Sequence, residues 1–136
     1  MDVRIYYEDT DAAGVVYHAN YLKYFERARS EFLREHGVSI ASLASDGFVF
    51  PVVRVSIDFR RPAFLDDLIS INTVPENVKG SSFAIKQHVI RKSDGLLLVA
   101  AVVTLACIGP EFKARRIPAI VRDLLDKELK NAAGGQ

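Results

Sequence analysis

The stretch that decides the fold is Tyr7-Glu-Asp-Thr-Asp-Ala-Ala-Gly-Val-Val-Tyr-His-Ala-Asn-Tyr21. On its N-terminal side, Val3, Ile5 and Tyr7 alternate with polar residues, a pattern that predicts a β-strand. Residues 9–14 then form a turn-rich loop, because Asp and Thr side chains can bond nearby backbone and a glycine tolerates positive φ. The stretch therefore begins as a strand and turns sharply.

Its C-terminal side predicts the start of a long helix. Asn20 is a suitable N-cap for a helix that runs to about His36, with Gly37 at the C′ position. A carboxylate and an imidazole, Asp11 and His18, thus lie just before a helix N-terminus. Unpaired N–H groups and the helix dipole favour anions there, so a developing oxyanion would be stabilised.

The rest of the chain predicts one sheet and one further helix. In the long helix, Tyr21, Phe25, Ala28 and Phe32 form an apolar stripe that needs a sheet to cover it. The predicted strands are residues 48–59, 68–74, 83–92 and 96–108; residues 75–80 form a loop, residues 93–95 form a hairpin turn, and a last helix runs from Pro118 to about Leu129, with residues 131–136 frayed. The strand at residues 96–108 is the most apolar, and we expect it to be central and covered on both faces. The fold class is α+β, with a curved antiparallel sheet of about five strands around one long helix.

Composition sets further bounds on the protein. A chain of 136 residues suits a single domain over residues 1–136, and a net charge of +1 argues against a general nucleic-acid binder. The single cysteine, Cys107, excludes an internal disulfide and lies in an apolar run, where we expect a buried, inert thiol. We find no signal-peptide pattern and no apolar run of the ~20 residues needed for a membrane span, so we expect a soluble cytoplasmic protein.

The motif from Asp9 to Tyr21, followed by Tyr24-Phe-Glu-Arg-Ala-Arg-Ser-Glu-Phe-Leu33, resembles the signature of hotdog-fold acyl-CoA thioesterases. Within that superfamily it is similar to the 4-hydroxybenzoyl-CoA thioesterase type, and most of all to the YbgC-like enzymes associated with the Tol-Pal system. The segment from Val55 to Pro62 and the Asp66-Asp67-Leu68 run agree with this resemblance, which covers nearly the whole chain. It implies the hotdog fold and hydrolysis of an acyl-CoA thioester.

The resemblance also implies roles for individual residues. Asp11 matches the family's catalytic carboxylate, and His18 matches the histidine of the YbgC-like branch. The backbone N–H near His18 matches the group that polarises the thioester carbonyl. The family further implies a homodimer with a continuous sheet, usually paired into a homotetramer, with the site at the subunit interface.

The chemistry of a thioester fits these residues. Asp11 can attack the carbonyl and form a mixed anhydride that water opens, or it can hold and deprotonate a water molecule. His18 can donate to the carbonyl oxygen, orient water or protonate the departing thiolate. The structural alternative is that Asp11 is only an Asx-turn residue and His18 a backbone-bonded residue at the helix start. No metal site is expected, and no cofactor is needed because coenzyme A is part of the substrate.

Coenzyme A carries phosphates, which call for Lys or Arg near the pocket mouth. We expect Lys79, Gly80 and Ser81, together with Arg91 and Lys92, to bind them. The expected substrate-binding residues in the motif itself are Tyr7, Gly14, Val15, Tyr17 and Asn20. Acyl chain length is open: short to medium chains or aromatic acyl groups are expected, with acyl carrier protein as a possible partner.

Two other functions are compatible with a hotdog fold. One is a non-catalytic module that binds acyl-CoA or acyl carrier protein without turnover. The other is a dehydratase of 3-hydroxyacyl thioesters, whose His-Phe-Pro-Gly setting this sequence lacks. Glu26 and Glu31 are expected to be surface or salt-bridge residues of the helix, although other hotdog branches place the catalytic acid on that helix.

Overall fold

The computed structural model describes residues 1–134. Five strands and three helices follow in chain order: β1 Asp2–Arg4, α1 Asn20–Glu35, α2 Ile40–Ser45, β2 Val52–Phe59, β3 Leu68–Val78, β4 Ser82–Arg91, β5 Leu97–Ala106 and α3 Ala119–Gly134. Short 3-10 turns lie at Tyr7–Asp9 and Pro110–Phe112. The order of elements is the predicted one: a strand, a long helix, four strands and a last helix.

The strands form a single antiparallel sheet with the order β1-β3-β4-β5-β2. The predicted five-stranded α+β architecture is therefore confirmed. Strand β2 pairs only with β5 and forms one edge of the sheet. Strand β4, and not β5, occupies the centre.

Helix α1 packs across one face of this sheet. Its stripe buries Tyr21, Tyr24, Phe25 and Ala28 in a cluster that includes Val99 of β5. Phe25 is fully buried, and burial of one such side chain stabilises the fold by about 1.5–3 kcal/mol. The predicted apolar stripe is therefore what holds α1, and the motif before it, in place.

A second cluster lies under α3. Val121 and Leu125 pack with Phe83 and Leu105 of the sheet, while Cys107 is fully buried beside them. Burial raises the pKa of the Cys107 thiol, which agrees with the expected inert cysteine. Helix α3 continues to Gly134, so its predicted end at about Leu129 is wrong. Of the residues predicted to be frayed, 135 and 136 lie outside the described part.

Three strand predictions need correction. Strand β1 ends at Arg4 because residues 7–9 turn into a 3-10 helix. Strand β3 continues through Pro75 to Val78, and a register shift between Pro75 and Asn77 absorbs the proline. Strand β5 is fully buried along one face only, since alternate residues from Ala100 onward are half-buried.

None of the helices described in residues 1–134 has both the length and the apolar character needed to cross a membrane.

Candidate functional site

The motif folds into a small hairpin that presents Asp11 at its tip. Thr10 bridges to Val16, the Asp11 N–H donates to the Val15 carbonyl at 2.8 Å, and the Gly14 N–H donates to the Asp11 carbonyl at 3.0 Å. Gly14 has a φ of +79°, the left-handed region that favours glycine. The predicted loop and the predicted role of its glycine are confirmed.

The Asp11 carboxylate uses only one oxygen within the protomer. Its Oδ1 accepts a 2.9 Å hydrogen bond from the Ala13 N–H, which is an Asx turn. Within residues 1–134, Oδ2 has no hydrogen-bond partner, and the residue is exposed. The Asx turn therefore fixes the side chain and leaves one carboxylate oxygen for a ligand.

Asp9 is the carboxylate that holds the loop to α1. Its Oδ1 accepts from the Tyr24 hydroxyl and its Oδ2 from the Tyr6 N–H, both at 2.8 Å. Its backbone carbonyl accepts from the Asn20 side-chain amide at 2.9 Å and from the Tyr17 N–H at 3.0 Å. Asp9 is thus a structural group that joins the loop to α1.

The start of α1 differs in detail from the prediction. Asn20 is the first helical residue and Ala19 the N-cap, without a side-chain cap, because the Asn20 amide is used by Asp9. Gly37 follows the helix with a φ of +78°, as expected for its C′ position. In the described part of the chain, the backbone N–H groups of His18 and Ala19 have no acceptor. An open N–H at His18 is what the resemblance implies for the carbonyl-polarising group.

The His18 ring lies in an aromatic setting. Its centroid is 4.6 Å from that of Tyr17 and 6.3 Å from that of Phe59, with the Phe59 ring edge-on. Phe59 also lies 5.8 Å from Tyr21 of α1. His18 is exposed and stands between the loop and the C-terminal end of the edge strand β2.

The loop is anchored to the segment that joins β2 to β3. Val15 bridges to Phe64, and the Val16 N–H donates to the Ala63 carbonyl at 2.9 Å. Of the other motif residues predicted to bind substrate, Tyr7 is 83% exposed and Tyr17 is 47% exposed. These residues lie in one continuous stretch that runs from the 3-10 turn at Tyr7 to the first residue of α1, Asn20.

All three guanidinium nitrogens of Arg91 donate hydrogen bonds within the protein, so few donors remain for a phosphate. Its Nε donates to Asp67 at 3.1 Å, its Nη1 to Asp94 at 3.0 Å and its Nη2 to the Pro62 carbonyl at 2.7 Å. Lys92 Nζ pairs with Asp2 at 2.9 Å but remains about half exposed. The prediction of Arg91 as a phosphate ligand is therefore not supported by its contacts.

Lys79, Gly80 and Ser81 lie at the other end of the sheet from the motif. Strand β3 begins beside β1 at Leu68 and ends at Val78, and its 11 residues span roughly 33 Å. The Gly80 carbonyl accepts from the Ile117 N–H at 3.1 Å, in the segment before α3. Within one protomer these three residues therefore lie outside the site around Asp11.

Two arginines near the site, Arg60 and Arg61, are not among the residues predicted to bind substrate. Arg60 and Arg61 follow Phe59 directly, and both are exposed. Their backbone N–H groups donate to the Leu98 carbonyl at 2.8 and 3.0 Å, while their side chains have no hydrogen-bond or ion-pair partner among the residues described. The signal in the sequence is the Arg60-Arg61-Pro62 run directly after the strand.

The fold and sequence are similar to those of known thioesterases. The family model described as "Thioesterase superfamily" matches residues 13–98. The chain is 40% identical to "Acyl-CoA thioester hydrolase YbgC" of Escherichia coli over 117 residues, covering 85% of this chain and 87% of the relative. It is 44% identical to "Acyl-CoA thioesterase YbgC" of Haemophilus influenzae over 107 residues, covering 78% and 77%. A probable thioesterase from Bartonella henselae superposes with a TM-score of 0.81 at 42% identity, covering 87% of this chain and 97% of that structure.

The fold, a long helix on a five-stranded antiparallel sheet with an acid-bearing loop before the helix, defines the hotdog class. The chain belongs to the thioesterase superfamily. The resemblance stated from the motif is confirmed, and so is the expectation of a thioester hydrolase.

Proposed function

We propose that the protein hydrolyses short- to medium-chain or aromatic acyl-CoA thioesters to the free acid and coenzyme A, with Asp11 as the catalytic carboxylate. The observation that supports this most is the loop itself. It holds Asp11 by one oxygen, leaves the other open, and leads into a helix start with open N–H groups at His18 and Ala19. These are the two parts that cleavage of a thioester needs.

In the proposed reaction the thioester carbonyl oxygen accepts from the open N–H groups at the start of α1. There the helix dipole stabilises the negative charge of the tetrahedral intermediate. Asp11 then acts by one of two routes. In the first, its oxygen adds to the carbonyl carbon, the C–S bond breaks, CoA leaves as thiolate, and water opens the mixed anhydride. In the second, Asp11 removes a proton from a water molecule that adds to the same carbon, after which the C–S bond breaks and CoA leaves as thiolate.

His18 is placed to assist the leaving group in either route. A protonated imidazole can donate a proton to the departing thiolate. Its exposed ring lies beside Phe59 at the end of β2, and Arg60 and Arg61 follow Phe59 in the chain. We assign these two arginines to the phosphates of coenzyme A, in place of Arg91, because they are exposed and follow the residue that contacts His18. The reaction as proposed uses no cofactor apart from the CoA that the substrate brings.

The edge strand β2 supports a proposed homodimer. All eight of its residues are exposed or half-buried, including Val52, Val53 and Phe59 at 44, 60 and 52% exposure. An exposed apolar edge strand favours pairing with another strand, and a second copy of β2 would continue the sheet. His18 and Phe59 would then lie at the subunit interface. Pairing of two such dimers into a homotetramer, a cytoplasmic location and acyl carrier protein as a partner remain proposals from the resemblance.

The test is release of free thiol from acyl-CoA by the purified protein, followed across acetyl, butyryl, octanoyl and benzoyl thioesters. Turnover that is lost in Asp11→Asn supports the proposal. Binding of acyl-CoA by calorimetry without turnover would instead identify a non-catalytic module.

Isotope labelling identifies the anhydride route where water attacks the Asp11 carbonyl of the anhydride. In a single turnover in water enriched in oxygen-18, the water route puts label only into the released acid. Attack of water on the Asp11 carbonyl of an anhydride puts label into Asp11, which peptide mass spectrometry detects.

A further inference from the structure

A second feature of the protomer is a cavity beside the C-terminal half of α1. Its volume is about 160 Å³, and its wall is mostly apolar, with Leu33, Phe48, Phe50 and Phe83 among the lining residues. A cavity of about 150 Å³ is large enough to hold benzene, so this one accommodates a ring or a comparable length of hydrocarbon. We call it the α1 cavity.

One cation lines this apolar space. Arg29 is half-buried, and its Nη1 donates to Gln87 Oε1 at 3.0 Å. Gln87 is fully buried, and its amide nitrogen donates in turn to the Phe25 carbonyl at 2.9 Å and to Thr73 Oγ1 at 3.2 Å. The guanidinium is thereby held in position by a buried glutamine whose own groups are satisfied.

Most N–H donors of the Arg29 guanidinium have no acceptor among the described residues. Only one of its N–H groups donates to an acceptor in the described part of the chain, and no carboxylate there lies within ion-pair distance of it. Burial lowers the pKa of Arg29, and the negative charge of Glu26, which lines the same cavity, acts in the opposite direction. Because an incompletely paired cation in an apolar space is costly, an oxygen acceptor in the cavity would be favoured.

Exposed apolar residues also lie on α1 and on β2. Leu22 lies four residues after His18, and Arg29 lies seven residues after Leu22, which places Leu22 and Arg29 along one side of α1. On β2, Val55 and Phe59 are paired with residues of β5 whose side chains are in the core, so they lie on the face of the sheet that carries α1. Leu22, Val55 and Phe59 are all exposed in the protomer. An acyl chain that reached from His18 to the cavity would run over these three side chains.

We propose that the α1 cavity receives the far end of the acyl group, and that Arg29 makes the enzyme selective for acyl groups whose far end carries an oxygen acceptor. This inference rests on the proposed function, because it places the thioester at Asp11 and His18. Arg29 would be a specificity-determining residue, and Gln87 and Thr73 would position it.

The spacing sets the acyl length. The rise from His18 to Arg29 along α1 is about 16 Å, which corresponds to roughly 13 bonds of extended chain at about 1.2 Å each. Long helical side chains lean back toward the helix N-terminus, so the guanidinium is nearer than this limit and acyl groups of about eight to ten carbons match best.

The test compares octanoyl-CoA with its ω-hydroxy and ω-carboxy derivatives in the thiol-release assay, using the whole protein. We expect kcat/KM to be about tenfold or more higher for at least one oxygenated substrate than for octanoyl-CoA. In Arg29→Met the preference is expected to disappear while turnover of butyryl-CoA persists. Arg27→Met, which removes an exposed arginine from the same helix, is the matched control and should keep the preference.

A second variant protects the test against misfolding of Arg29→Met. Ala44 of α2 lines the cavity away from the Arg29–Gln87 contact, so Ala44→Leu should fill it. We expect this variant to lose activity on octanoyl-CoA and both derivatives while it retains activity on acetyl-CoA. Equal kcat/KM for the three substrates in the wild type, an oxygen preference that survives in folded Arg29→Met, or an unchanged length profile in Ala44→Leu would overturn the inference and leave the proposed function intact. Absence of any thioester cleavage by the wild type would instead overturn the proposed function.

Discussion

The hydroxyl of Tyr24 donates a 2.8 Å hydrogen bond to Oδ1 of Asp9 and so joins the first turns of α1 to the loop that carries Asp11. Tyr24 is almost fully buried, and the other oxygen of Asp9 is taken by the Tyr6 N–H. This contact positions the loop without touching the proposed reaction centre.

Removal of that hydroxyl should therefore lower stability and also disturb the loop. For Tyr24→Phe we expect the free energy of unfolding to fall by about 1–3 kcal/mol, because the Asp9 carboxylate loses a charge-assisted bond. We expect kcat to fall without being abolished. Urea denaturation measures the first quantity and thiol release the second. Unchanged stability in Tyr24→Phe would show that the bond does not hold the loop.

The same contact predicts a dependence on alkaline pH. Burial first, and the Asp9 carboxylate second, raise the pKa of Tyr24 above its ordinary value of about 10. A folded-state pKa above the unfolded one stabilises the protein fully below pH 10, and this contribution is lost as the pH rises through the folded value. The stability advantage of the wild type over Tyr24→Phe should therefore shrink by up to about 1.4 kcal/mol per pH unit above pH 10. Urea denaturation of both proteins between pH 8 and 11 measures it, and a constant difference would contradict the assignment.

Arg91 and the Arg60–Arg61 pair should separate into structural and substrate-binding roles. Arg91→Met loses its contacts with Asp67, Asp94 and the Pro62 carbonyl, so we expect a loss of about 1–2 kcal/mol in stability with little change in the KM for acyl-CoA. The double variant Arg60→Met/Arg61→Met should keep its stability and raise KM about tenfold. Thermal unfolding and steady-state kinetics measure the two effects, and the reverse pattern would restore Arg91 as the phosphate ligand.

The edge of β2 should control assembly. Val53 is 60% exposed on this strand, and a charge there opposes pairing with a second copy. We expect Val53→Lys to shift the protein toward the monomer in light scattering and to reduce activity, since the site is proposed to lie at the interface. Glu76→Lys on β3, an exposed position away from the β2 edge, is the control. A wild type that is monomeric at micromolar concentration would contradict the proposed dimer.

Local signals predicted much of this fold. The turn at Gly14, the stripe of α1 and the sheet strands follow from periodicity and turn chemistry, which act over a few residues. The predicted strand ends before Pro75, whereas β3 continues through this proline. A register shift in the pairing with β4 accommodates Pro75, and the local sequence does not indicate that pairing. Asn20 failed as an N-cap because Asp9, eleven residues earlier, takes its side chain.

The site was predicted where the motif is local and missed where it depends on tertiary contacts. Asp11 and His18 lie on one short loop, so the sequence places them together. Arg91 looked like a free cation because its partners Asp67 and Pro62 are more than twenty residues away in sequence. The pairing of Arg29 with Gln87 joins residues 58 positions apart, which helical periodicity alone does not indicate.

The role of Asp11 as the catalytic carboxylate is tested most directly by the rate at which Asp11→Asn releases thiol from butyryl-CoA and octanoyl-CoA. This change keeps the size of the side chain and the oxygen that accepts from Ala13, but it removes the negative charge. Glu8→Gln, an exposed acid three residues away, is the matched control. If Asp11 is the catalytic carboxylate, we expect kcat to fall at least about a hundredfold in Asp11→Asn and to be unchanged in Glu8→Gln. A folded Asp11→Asn protein with wild-type kcat would contradict that role.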